Sequence, residues 1–160
     1  MTHDNITIRP YEEADFAAVC AVHDRARPDE LRGSCDPRAF VPLAEDPQDA
    51  ADFARSQKHV ACLGDRVVAF VGVDGAYISW LYVDPEFYGR GLGRRLLGLA
   101  IELAGPTAWT IALDGNERAL ELYRRAGFVA TRTVPGDNAG YPCTCLRLEL
   151  NPAGSAAASA

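Results

Sequence analysis

Apolar residues along the chain change period several times, and each change marks off an element. "NITIRP" alternates apolar and polar positions and stops at Pro10, which predicts a first strand; "EEADFAAVCAVHDRA" spaces its apolar residues helically, which predicts a helix ending before Pro28. From Pro28 to Pro47 the period is lost among Pro, Gly, Asp and Arg. Short helical turns or a mobile loop are expected there, a kind of segment that often shapes a binding pocket. "PQDAADFARS" reads as a short helix, and "HVACLGDRVVAFVGVDGAYISWLYV" as a three-stranded meander turning at Gly64-Asp65 and Asp74-Gly75. A longer helix then runs to Ala104 and is closed by Gly105-Pro106. "TAWTIAL" is a strand, "NERALELYRRA" a helix ended by Gly127, and "FVATRTV" and "CTCLRLEL" are last strands joined through the turn "PGDNAGYP".

Strands in series followed by strand and helix alternation predict an α/β or α+β sheet with helices on both faces. One domain is expected over residues 1–150, followed by a small-residue C-terminal tail, 151–160, either disordered or docked as a short helix.

Composition narrows the partners. A formal net charge of −6 argues against a general nucleic-acid binder and favours encounter with cationic partners such as amines. The five cysteines, Cys20, Cys35, Cys62, Cys143 and Cys145, are odd in number and scattered, so the disulfide framework of a secreted protein is not expected and a reduced, cytoplasmic setting fits. Cys143 and Cys145 share one face of their strand; with no second such pair or His nearby, packing is expected rather than a metal. No signal-like segment opens the sequence, and no apolar run approaches the roughly 20 residues that span a bilayer.

The chemistry concentrates in "DPEFYGRGLGRRLL", Asp84 to Leu97, where three glycines alternate between a strand and a helix. Such a junction presents unpaired N–H groups at the positive end of a helix dipole, a place for phosphate. Gly89, Gly91 and Gly93 allow close backbone approach and positive φ, and Arg90, Arg94 and Arg95 add charge; the competing reading is a basic turn with a solvated face. A Walker loop is excluded because Arg94-Arg95 stands where Lys-Ser or Lys-Thr is required, and a dinucleotide fingerprint is excluded because neither register supplies its last glycine. The following helix carries a broad apolar arc from Leu92 to Ala104, opposite a narrow stripe of Arg94, Arg95, Gly98 and Glu102, so it should lie flat on a sheet.

"WLYVDPEFYGRGLGRRLL" resembles the acyl-CoA-binding motif of GNAT-type (GCN5-related) N-acetyltransferases, and "NERALELYRRAGF" resembles that family's second signature, an Asn followed seven residues later by Tyr and then Gly-Phe. The resemblance spans Ile78 to Phe128. It implies a single-domain GNAT-like fold, a mixed, mostly antiparallel sheet of about six to seven strands with a splayed central parallel pair. It implies acetyl-CoA as co-substrate, no metal, and direct transfer of acetyl to a primary amine in a ternary complex. The pyrophosphate would lie on Tyr88, Gly89, Arg90, Gly91, Gly93 and Arg94, with the pantetheine beside Leu81, Tyr82 and Val83. A backbone N–H near Leu81 or Tyr82 would face the thioester oxygen.

Taken alone, Tyr123 reads as a packed tyrosine at the margin of an apolar stripe; the resemblance makes it the general acid for the departing thiolate. Asn116 either caps its helix, in competition with Asp114, or contacts the donor. Trp80 and Tyr82 line core or cleft, with at least one expected in the core. The chain departs from the family at Tyr88, where Arg or Gln is usual, and at Tyr77, where histone-directed relatives carry Glu. Base candidates are His23, Asp24, Glu30 and Tyr77 acting through water. The acceptor stays open among a peptide end, a Lys side chain, a polyamine and an aminoglycoside, as does the choice between monomer and homodimer. Two alternatives are a catalytically weak CoA-binding regulatory or partner-binding module and a nucleotide phosphate binder.

Overall fold

The computed structural model describes residues 5–152. Strands β1 (Ile6–Pro10), β2 (Gln57–Leu63), β3 (Arg66–Asp74), β4 (Tyr77–Val83), β5 (Trp109–Leu113), β6 (Val129–Asn138) and β7 (Tyr141–Glu149) form one mixed sheet in the order β1-β2-β3-β4-β5-β7-β6. Helices α1 (Phe16–Leu31) and α2 (Pro47–Arg55) pack on one face, and α3 (Leu92–Ala104) and α4 (Glu117–Arg125) on the other. Alternation along β3 serves both layers. Ala69, Val71 and Val73 meet Leu92, Leu96, Leu97 and Ala100 of α3, while Phe70 joins Val19, Phe53 and Trp80 on the opposite side. Trp80 is therefore core, 5.8 Å from the Phe53 ring. Leu103, counted in the apolar arc of α3, lies exposed instead.

The helix expected to stop before Pro28 continues to Leu31. Proline lacks the N–H that would bond back to residue 24, a loss of about 3 kcal/mol in an ordinary helix interior. The last turn nonetheless closes through Arg32 N–H to the Pro28 carbonyl (3.1 Å), and it buries Leu31 against Ala39, Leu113 and Cys145. Burial of a leucine side chain, about 1.5 to 3 kcal/mol, offsets half or more of that loss. Beyond α1 the aperiodic segment forms 3₁₀ turns at Pro37–Ala39 and Leu43–Glu45, then the Asp46 carboxylate caps α2 by accepting from the Gln48 and Asp49 N–H groups (3.0 and 3.2 Å).

The final hairpin is longer than its composition suggests. Both strands run through their prolines, and the turn narrows to Ala139 and Gly140 at φ +53 and +85. Pairing of β7 with β5 ends at Cys145, so Pro135 and Pro142 lie in a two-stranded extension where no inner ladder bond is lost.

The cysteine expectation is corrected. Cys35, in the α1–α2 connection, and Cys143 of β7 form a disulfide across 108 residues of sequence, while Cys20, Cys62 and Cys145 are buried free thiols. Parity and spacing describe a framework, but a single bridge depends only on two Cα atoms meeting, here 5.5 Å apart. Of the tail expected over 151–160, residues 153–160 lie outside the described residues.

The central parallel pair splays. β4 and β5 pair only at Tyr77 and Trp109, whose rings stack at 4.3 Å. Just beyond, the Thr110 hydroxyl donates to the Ile78 carbonyl (2.8 Å). Between Val73 and Gly72, β3 advances one residue while β4 advances two, from Ile78 to Trp80, which makes Ser79 a bulge. A bulge bends its strand and increases local twist. From that point toward Val83, β4 parts from β5 and leaves a gap in the sheet.

Candidate functional site

The loop after β4 is anchored by a buried carboxylate. Asp84, fully buried, donates its N–H to the Val68 carbonyl (2.8 Å) and accepts from the Glu86 N–H (3.0 Å), Arg66 (3.2 Å) and Arg25. β3, α1 and the loop are thereby tied at one point. The next turn buries Phe87, and Gly89 and Gly91 follow at φ +78 and +77. An L side chain at either would be strained.

Gly93 differs from the expectation of positive φ. It belongs to the first turn of α3, and a Cβ there would meet Leu122 Cδ2 of α4 at 3.3 Å, so its role is close helix approach. The first ladder bond of α3 runs from Arg95 N–H to the Gly91 carbonyl (3.1 Å), which leaves Leu92, Gly93 and Arg94 N–H groups without acceptors inside the helix.

These groups open onto a cleft of about 1250 Å³ between α1, β4, α3 and α4. Leu81, Tyr82 and Val83 form its wall along the parted strand, Tyr88, Gly89, Gly91, Gly93 and Arg94 its loop end, and Asn116 and Tyr123 its α4 side. Arg90, the remaining predicted contact, does not line it. Its guanidinium lies over the Phe87 ring (4.8 Å), beside an adjoining depression of about 590 Å³ along α3 that shares Gly91, Arg94 and Gly98 with the cleft.

Asn116 stands at the N-cap position of α4, but its side chain makes no capping bond. It is therefore available to the cleft. Tyr123 is 7% exposed and packs edge-on against Phe128 (5.4 Å). Burial pushes its hydroxyl up to about 12, with Thr110 pulling the other way. Tyr82 is likewise pushed up to about 12 by burial, with the Arg27 cation opposing. Tyr88 reaches about 12 through burial and the adjacent Asp29 carboxylate.

The four base candidates separate clearly. Glu30 lines the cleft and pairs with Arg27. His23 is 1% exposed, its Nδ1 held by Asp24 (2.8 Å) and its ring against Tyr82 (4.9 Å); burial lowers its pKa and keeps it neutral. Asp24 also accepts the Leu43 N–H (3.0 Å) and fixes the α1–α2 connection. Tyr77 is stacked on Trp109 at the closed end of the parted strands.

Two residues to which the sequence assigns no site role, Asp29 and Arg118, line the cleft, and Asp49 and Arg27 act electrostatically on His23. Asp29 was hidden by ending the helix before Pro28. Asp49, one helical turn before buried Phe53, has its carboxyl raised by burial and neighbours His23 and Arg27 electrostatically. Its position i−4 from an apolar residue was the available signal. Arg27 donates to Asn138 at the hairpin tip (2.8 Å). With the disulfide, this contact ties the β6–β7 hairpin to the α1 side of the site.

Among the described residues no cluster of His, Cys, Asp or Glu is placed to hold a metal ion, and no helix is long and apolar enough to cross a membrane. The sequence pattern of the acetyltransferase (GNAT) family matches residues 16–128. The chain is 33% identical over 84 residues to the peptidyl-lysine N-acetyltransferase YjaB of Escherichia coli, a match covering 52% of this chain and 56% of that protein. It thus spans just over half the length of that relative. It superposes on a GCN5-related N-acetyltransferase from Rhodopseudomonas palustris with a TM-score of 0.79, 23% identity and coverage of 93% and 97% of the two chains. For yncA of Salmonella typhimurium, solved with its cofactor acetyl-CoA, the TM-score is 0.68 at 23% identity, covering 91% and 93%. These likenesses establish a shared fold.

Proposed function

The chain belongs to the acetyltransferase (GNAT) family, and from that premise we propose that it transfers an acetyl group from acetyl-CoA to a primary amine by direct attack in a ternary complex. One observation carries this reading: a single cleft runs from the glycine loop, along the parted edge of β4, to Tyr123 of α4.

The residues present fit the coenzyme. Helix N–H groups and Arg94 suit a diphosphate, and the unpaired edge of β4 suits an amide-bearing arm laid down like an added strand. The thioester supplies an acyl group already activated for transfer. Leu81 and Tyr82 backbone groups orient its carbonyl, and Tyr123 hydrogen-bonds the sulfur as the carbon–sulfur bond breaks. The amine nitrogen forms the new bond to the carbonyl carbon and loses its proton to Glu30 or water.

At about 12 the Tyr123 hydroxyl keeps its proton throughout the neutral range. It is a weaker acid than an ordinary thiol near 8.5, so it helps the thiolate depart by hydrogen bonding before the proton moves. Holding donor and amine together supplies the larger share, an effect worth up to about 7 to 11 kcal/mol.

The likeness to a peptidyl-lysine acetyltransferase makes a lysine side chain the first acceptor to test. The acceptor would enter from the α1 side of the cleft, where the Glu30 carboxylate offers an attraction for a cation. Thiol release from acetyl-CoA is the assay, run with a panel of lysine peptides, free amino acids and polyamines. Release dependent on one amine class supports the reading. Tight CoA binding without release on any amine makes the chain a binding module instead, and protection against heating by ATP but not CoA removes the coenzyme altogether.

A further inference from the structure

This inference rests on the acetyl-CoA reading above and concerns the position where the chain departs from the family motif. A neutral Tyr88 removes a side-chain partner from a dianionic diphosphate. The structure shows what stands there instead. The guanidinium carbon of Arg118 lies 3.6 Å from the centroid of the Tyr88 ring, a separation of direct contact. At the ring's edge the Tyr88 hydroxyl donates to Asp29 Oδ2 (3.2 Å), which ties the ring to α1.

Arg118 comes from the first turn of α4 and lines the same cleft as Gly91, Gly93 and Arg94. Two other cleft arginines are already neutralised: Arg32 by Asp29 (3.1 Å) and Arg125 by Glu121 (2.7 Å). Among the described residues Arg118 has an aromatic partner and no carboxylate partner.

We infer that Arg118, resting on the ring of Tyr88, is a binding residue for the coenzyme's diphosphate, so that position 88 serves as a platform for a cation delivered by α4. A guanidinium stacked on a ring keeps its N–H groups, which lie in its own plane, free for an anion at its edge. Stacking also restricts a long side chain before the ligand arrives, which reduces the ordering lost on binding. Arg94 at the start of α3 and Arg118 at the start of α4 then flank the N–H groups of the loop.

Calorimetric titration of the full chain with CoA, dephospho-CoA and pantetheine tests the assignment. For Arg118→Gln, affinity for CoA and for dephospho-CoA should fall about tenfold to a hundredfold, with pantetheine, which has no diphosphate, unaffected. In a Tyr88→Ala background the same substitution should cost less, because the platform is already gone. Adding Tyr88→Arg to Arg118→Gln should restore much of the loss. Unchanged CoA affinity in a folded Arg118→Gln variant overturns the proposal; so does a loss seen with CoA but not dephospho-CoA, which places the contact at the 3′-phosphate, and so does an equal loss for pantetheine. Failure of the unsubstituted chain to bind CoA overturns the acetyl-CoA reading itself, and is seen before any variant is made.

Discussion

Tyr123→Phe removes one oxygen from a ring that is 7% exposed and leaves the ring packed on Phe128. Its stability cost should be small, because Thr110 keeps its own bond to the Ile78 carbonyl; one lost neutral hydrogen bond is about 0.5 to 1.5 kcal/mol. The catalytic cost should be larger. Loss of a general acid is expected to lower kcat about tenfold to a thousandfold, while the Kd for CoA stays within about twofold, since the proposed role sets the hydroxyl against the departing sulfur and not the diphosphate.

The pH profile provides a second reading of the same group. Only the protonated hydroxyl assists departure, and that form is lost as pH rises through its pKa. An unperturbed tyrosine near 10 would turn the rate down as a lysine acceptor near 10.4 becomes neutral. Burial pushes Tyr123 up to about 12, so thiol release should instead keep rising through pH 10 as the amine loses its proton. Continuous thiol detection from pH 7 to about 10.5, with circular dichroism confirming that both proteins remain folded, measures both effects. An unchanged kcat in the phenylalanine variant refutes the role of Tyr123; a wild-type profile that falls near pH 10 refutes its burial-raised pKa.

The glycine loop offers a contrast between two substitutions. Gly91→Ala meets no atom within 4 Å but forces alanine to φ +77, at about 1 to 2 kcal/mol, so a melting-temperature drop of roughly 2 to 8 °C with weaker CoA binding is expected. Gly93→Ala, helical and 3.3 Å from the end of a leucine side chain that can shift, should cost less than Gly91→Ala; equal losses for both would sink the distinction. Reduction of the Cys35–Cys143 bridge, or Cys35→Ser, should cost about 2 to 4 kcal/mol because the bridge closes a long loop, read as a lower midpoint in urea with an enlarged m-value. Arg9 hydrogen bonds hold the Asp15 carboxyl below its usual pKa. Its contribution is therefore present above the unfolded value near 3.9 and lost as pH falls below it, so the Asp15→Asn variant should show a shallower decline in stability on acidification than the wild type.

Much of the site was legible because its signals are local. Alternating glycines between a strand and a helix, and Asn116 seven residues before Tyr123, need no tertiary knowledge to be recognised, and each found its place in one cleft apart from Arg90. What escaped were residues whose role depends on a neighbour far along the chain. Asp29 matters because Tyr88, 59 residues away, reaches it, and Arg27 because Asn138, 111 residues away, accepts its hydrogen bond. The Pro28 boundary was misplaced for the same reason: a local rule ended the helix, and the distant partners of Leu31 extended it.

By itself the sequence determined periods, turns and the chemical kinds of residue at the loop and on α4, since each follows from backbone sterics and side-chain spacing within a few residues. Tertiary structure alone decided that β4 carries one extra residue at Ser79, that β4 and β5 part beyond Tyr77, and that Arg118 comes to rest on Tyr88. Those outcomes are set by the register between strands and the packing of helices on them, and register is a relation between segments that no single segment contains.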